Sequence, residues 1–106
     1  MTHEVNSEGF RELLQSGRPF LVEYHAPWCG YCRRLEPAFD RVVREYEGTL
    51  TSVKIDIDKE PALADREHIE VVPTLVRYHR GDALGSMVAP ESRSRIEEFL
   101  EDYLEN

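Results

Sequence analysis

The chain has 106 residues, with 13 Lys or Arg against 21 Asp or Glu and a formal net charge of −8. That length predicts one domain spanning 1–106, with a core that needs no disulfide staples. The acidic balance argues against a nucleic-acid partner, and no apolar run reaches the roughly 20 residues of a membrane helix. Met1-Thr2-His3-Glu4-Val5-Asn6 shows neither the basic region nor the apolar stretch of an export signal, so the expectation is a soluble, monomeric cytoplasmic protein.

Residues 6–16 read as a helix with Phe10, Leu13 and Leu14 on one face, Asn6 or Ser7 as N-cap and Gly17 just past its end. Residues 19–25 read as a strand whose apolar residues do not alternate, the mark of a central strand buried on both faces. From Cys29 to about Glu47 the spacing of Leu35, Ala38, Phe39, Val42, Val43 and Tyr46 predicts a long helix, with Pro37 kinking it and Gly48 ending it. Leu50 to Ile57 is a second strand, and Asp58 with Pro61 opens a short helix to about Glu67. Thr74 to His79 and Ala83 to Val88 form a hairpin about Arg80-Gly81-Asp82. Ser94 and Glu97 fit a capping box for a last helix to Leu104, with Ile96, Phe99, Leu100, Tyr103 and Leu104 as its stripe. Strand–helix–strand order followed by a hairpin predicts an α/β fold, a mixed sheet with helices on both faces.

The only two cysteines stand as Cys29-Gly30-Tyr31-Cys32, the spacing of a redox pair rather than of a disulfide framework. They fall at a strand-to-helix junction, where unpaired N–H groups and the helix dipole stabilise a thiolate, the reactive form. Arg33 and Arg34 add positive potential. Cys32 lies one turn on from Cys29, on the same face. Gly30 lets the loop tighten, and the Tyr31 N–H is placed to point at Cys29. Thiol–disulfide exchange is the chemistry this arrangement supports, with Cys29 attacking and Cys32 resolving the mixed disulfide. A metal site is disfavoured because His3, His68 and His79 show no ligand spacing, and no cofactor is expected.

At these residues the chain resembles the thioredoxin family. Trp28-Cys29-Gly30-Tyr31-Cys32 matches its W-C-G-x-C motif, and Phe20 to Pro27 resembles the strand and loop that enter it. Pro37 matches its helix-kinking proline, Val53 to Asp58 its next strand, and Val72-Pro73-Thr74 its cis-proline loop. The resemblance covers roughly residues 5–104. It implies a thioredoxin fold of four helices about a sheet with a short first strand near Thr2–Val5. It also implies a redox-active Cys29–Cys32 disulfide and a cis Pro73 facing the pair. Val72 would offer backbone groups to an extended substrate, and Trp28, Gly30 and Tyr31 would line its path. Protein disulfides would be the substrates and a thioredoxin reductase the recycling partner.

Glu23 sits inside an apolar strand, where an unpaired charge is costly. In the family this position holds a buried acid behind the resolving cysteine. Here it is a Glu, which resembles protein disulfide isomerase domains, and the resemblance implies Lys54 as its partner. A structural ion pair is the alternative. The chain departs from the family at Tyr31 in the motif, at His25, at His68 where a helix-ending Gly is common, and at Ala89 where a groove Gly stands. The leading reading is a protein-disulfide reductase. The alternatives are a more oxidising oxidase or isomerase, and a non-catalytic binding module of the same fold.

Overall fold

In the computed structural model, which describes residues 2–104, the elements run β1 (His3–Glu4), α1 (Ser7–Ser16), β2 (Phe20–His25), α2 (Gly30–Glu45), β3 (Thr51–Asp56), α3 (Pro61–Arg66), β4 (Thr74–His79), β5 (Asp82–Val88) and α4 (Arg93–Leu104). The strands form one sheet in the order β1-β3-β2-β4-β5. β1 and β2 both run parallel to β3, with Glu23 opposite Lys54, while β4 runs antiparallel to β2 and to β5. This is the mixed sheet expected, with β2 at its centre.

Burial on both faces of β2 explains its lack of alternation. Phe20, Val22 and Tyr24 point to one face and pack with Val53, Ile55, Val76 and Tyr78, under Phe10 of α1 and Leu63 of α3. Leu21 points to the other and joins Leu75, under Leu35, Phe39 and Val42 of α2 and Ile96 and Leu100 of α4. Each such fully buried side chain contributes about 1.5–3 kcal/mol relative to exposure. Period-two alternation puts Glu23 on the second face, beneath α2.

The ends of the helices follow local chemistry. The Asn6 side chain accepts the Gly9 N–H at 2.9 Å, and Gly17, at φ +70°, closes α1. α2 keeps Pro37 inside it and ends at Glu45, two residues earlier than the spacing suggests. Asp58 does not cap α3. Glu60 holds that position without a side-chain bond, and the Asp56 carboxylate accepts the Asp58 N–H at 2.8 Å instead. The Ser94–Glu97 box does not form either. α4 starts a residue earlier, Ser92 Oγ accepts the Arg95 N–H at 3.3 Å, and Glu97 pairs with Arg93 at 3.4 Å. The side chains of Tyr103 and Leu104, and residues 105 and 106, lie outside the described residues. No described helix is long and apolar enough to cross a membrane.

Candidate active site

The centre of the sheet delivers the redox pair. β2 ends at His25, the Cys29 N–H donates to the Ala26 carbonyl at 3.1 Å, and the chain turns into α2 with Cys29 as its N-cap. Cys29 and Cys32 are joined by a disulfide with Cα atoms 5.3 Å apart, within the ordinary range. The Cys32 N–H donates to Cys29 Sγ at 3.1 Å. This is the orphan donor expected at a helix start, although it comes from Cys32 rather than from Tyr31. An N-cap side chain commonly bonds the third helical N–H, and Cys32 occupies that place.

The walls come from separate elements. The Val72–Pro73 peptide is cis, and the Val72 carbonyl oxygen lies 3.7 Å from Cys29 Sγ. Ala26 and the two cysteines pack against Tyr31, Ile57 and Val72. Trp28 is 65% exposed beside them, its indole N–H donating to Asp58 Oδ1 at 3.3 Å. Tyr31 donates its hydroxyl to the Pro90 carbonyl at 2.8 Å. Arg34 lies over the Tyr31 ring and Arg33 bonds the Pro27 carbonyl at 2.7 Å, which places both guanidinium groups around the motif. The tightness of the turn does not demand Gly30. A Cβ there would meet only the flexible ends of Arg34 and Arg33, the nearer at 3.3 Å.

Glu23 is 1% exposed, and neither of its carboxylate oxygens has a hydrogen-bond partner among the described residues. Burial pushes its carboxyl up to about 7, against an attraction to Lys54 that acts the other way. Lys54 Nζ lies 4.0 Å from Glu23 Oε1 but hydrogen-bonds Glu36 Oε1 at 3.0 Å. The expected Glu23–Lys54 pair is thus present as a loose contact. Glu36, absent from the sequence reading, holds the lysine. Its place one helical turn after Cys32 is the signal that was available. Pro90 also escaped the sequence reading, and Asp58 and Ala26 were read only as a cap and as part of the entering loop, since each reaches the site from a loop.

The model of the Thioredoxin family matches residues 1–102. The chain belongs to the thioredoxin family. It is 35% identical to Thioredoxin of Synechocystis over 104 residues, 97% of each chain. It is 34% identical to Thioredoxin 1 of Nostoc over 102 residues, 95% of each. Thioredoxin M-type, chloroplastic, of Spinacia oleracea is 30% identical over 102 residues, 56% of that protein's length. Among solved structures, oxidised mitochondrial Thioredoxin 3 of Saccharomyces cerevisiae superposes with a TM-score of 0.83 at 25% identity, over 96% of this chain and 94% of that one. With whole-length relatives of this kind and the Cys29–Cys32 pair in the family's CxxC position, this chain is a thiol–disulfide oxidoreductase and a protein-disulfide reductase.

Proposed function

We propose that this protein reduces protein disulfides through a mixed disulfide, with Cys29 as the attacking and Cys32 as the resolving residue. The Cys29 thiolate attacks one sulfur of the substrate disulfide, and the other leaves as a thiolate. Cys32 loses its proton and attacks Cys29 Sγ, releasing the second substrate sulfur and closing the Cys29–Cys32 disulfide. Glu23 takes the Cys32 proton and Lys54 acts as its counter-ion. The substrate lies extended across Trp28, Gly30 and Tyr31 and pairs with the backbone of Val72, beside Pro73.

The observation that carries the assignment is the Cys32 N–H aimed at Cys29 Sγ at 3.1 Å. Cys29 is the sulfur that a helix N-terminus stabilises as an anion. Both cysteines of the chain belong to this pair, which suits a protein of the reducing cytoplasm recycled by a thioredoxin reductase. The test uses both serine variants. Cys32→Ser is expected to accumulate a stable adduct with a disulfide substrate, and Cys29→Ser to form none. Adduct formation by Cys29→Ser alone reverses the roles.

A further inference from the structure

One ammonium serves two carboxylates here, and serves them unequally. Lys54 rises from β3 directly opposite Glu23, so a lone pair of these two would be expected to close. Instead Lys54, 14% exposed, gives its hydrogen bond at 3.0 Å to Glu36, 39% exposed, and stands 4.0 Å from Glu23. Charged neighbours come from each element around Glu23. α2 supplies Glu36 and Asp40, the latter accepting a hydrogen bond from Thr2. β3 supplies Lys54 and, on the same face by alternation, Asp56, whose carboxylate is turned to the Asp58 N–H. β2 itself supplies His25, whose Nε2 lies 3.3 Å from Glu4. β4 supplies the apolar Leu75 opposite Glu23. On the same face β4 also carries Arg77, opposite Leu21, whose guanidinium donates to the Phe99 carbonyl at 2.9 Å. Among the described residues Lys54 is the lysine or arginine within 4.0 Å of Glu23.

We propose that Glu36 is a positioning residue for proton transfer at Glu23, drawing Lys54 out of hydrogen-bond contact and so keeping the buried carboxyl basic. The proposal rests on the reading of Glu23 as the acceptor of the Cys32 proton. A carboxylate held directly by an ammonium is a weak base, because the pairing favours its charged form. A carboxylate with no cation nearby would stay protonated and accept nothing. Lys54 at one remove gives the intermediate case. Glu36 has a second effect. When Glu23 gains the proton, Lys54 keeps a partner, so the protonated state leaves no uncompensated cation in a partly buried site. Glu23 can then cycle between its two forms without rearrangement around it.

The experiment follows the Glu23 carboxyl carbon by NMR titration and, separately, the pH profile of mixed-disulfide resolution. With Glu36→Gln the Glu23 midpoint is expected to fall by about one pH unit as Lys54 closes on it. Resolution near neutral pH should slow several-fold, and Glu36→Asp should restore part of both. Loss of the Glu36 charge lowers the midpoint by itself, so the shift is also measured in a Lys54→Met background, where it is expected to shrink; an equal shift in both backgrounds overturns the proposal. An unmoved midpoint in both Glu36→Gln and Glu36→Ala overturns the proposal. Wild-type resolution by Glu23→Gln overturns the underlying reading instead, and the carboxyl titration still decides what Glu36 does.

Discussion

The Tyr31 hydroxyl donates to the Pro90 carbonyl at 2.8 Å, tying the residue between the two cysteines to the loop after β5. In that loop the Ala89 N–H donates to the Pro73 carbonyl, also at 2.8 Å. The redox motif, the proline loop and the β5–α4 connection are therefore held as one wall. Tyr31→Phe removes the first link and leaves a carbonyl to water or to nothing, at a cost of about 1 kcal/mol in stability. It is expected to raise KM for a protein disulfide, which must lie along this wall, while leaving reduction of a small aromatic disulfide unchanged. Kinetics on both substrates check this, and an equal effect on the two would remove the wall from substrate binding.

Tyr31 also bears on redox potential. The donor that reaches Cys29 is the Cys32 N–H, so proline at 31 leaves it in place. Proline does remove the Tyr31 N–H, one of the unpaired groups that make up the positive helix end. A dipole contribution of about 0.3–1 kcal/mol corresponds to roughly 5–20 mV for a two-electron couple. Histidine keeps the N–H and adds a fractional positive charge near neutral pH. The expected order of oxidising power is Tyr31→His, then wild type, then Tyr31→Pro. Equilibration of all three with glutathione in one buffer measures it. A Tyr31→Pro protein more oxidising than wild type would show that thiolate stabilisation does not govern this loop.

Glu23 makes stability depend on pH in a definite sense. Its carboxyl is raised by burial from 4.5 to about 7 in the fold, so between those values the native state binds more protons than the unfolded chain. Stability contributed by this group is therefore full below about 4.5 and is lost as pH rises through 7. The loss approaches about 3 kcal/mol at mildly alkaline pH. Urea denaturation of the oxidised protein from pH 5 to 8 should show the decline. Glu23→Gln, uncharged throughout, should flatten that part of the curve. An identical slope in the variant would assign the pH dependence to other groups.

The sheet was legible because its strands and crossovers carry period and punctuation. Apolar residues that do not alternate announced the central place of β2, and Asn6 and Gly17 marked the ends of α1. Two caps were misread. α3 takes its N-cap at Glu60 with no side-chain bond, while the Asp58 N–H is itself held by Asp56 in the turn before the helix. In α4, Ser92 rather than Ser94 is the residue that the turn brings to a free N–H, and spacing along one chain cannot rank two equivalent serines two residues apart. The Cys29–Cys32 pair at the start of α2 was legible because it is local, although the N–H that reaches Cys29 is that of Cys32 rather than of Tyr31. The Glu36–Lys54 bond and the Tyr31–Pro90 bond were not, since each joins residues far apart in sequence. Nothing in periodicity says which of several acids a partly buried lysine will choose.

His68 offers a test of backbone strain away from the cysteines. It ends α3 at φ +60°. Its N–H donates to the Asp65 carbonyl at 3.1 Å, and the Ile69 N–H donates to the Ala64 carbonyl at 2.9 Å. These two bonds are the paired closure in which a helix ends on a left-handed residue, with Ile69 packing back on the core. Glycine adopts that conformation freely, whereas a residue with a Cβ is strained there by roughly 1–2 kcal/mol. The His68 side chain is exposed, so little contact is lost on removing it. Glycine also gains freedom in the unfolded chain, which offsets part of the benefit. His68→Gly is therefore expected to stabilise the protein by about 1 kcal/mol, roughly 4 °C in Tm for a domain of this size. His68→Ala, which keeps the Cβ, should give no such gain. Urea unfolding of the three oxidised proteins at one pH measures the difference, and a His68→Gly protein no more stable than His68→Ala would show that the closure is unstrained.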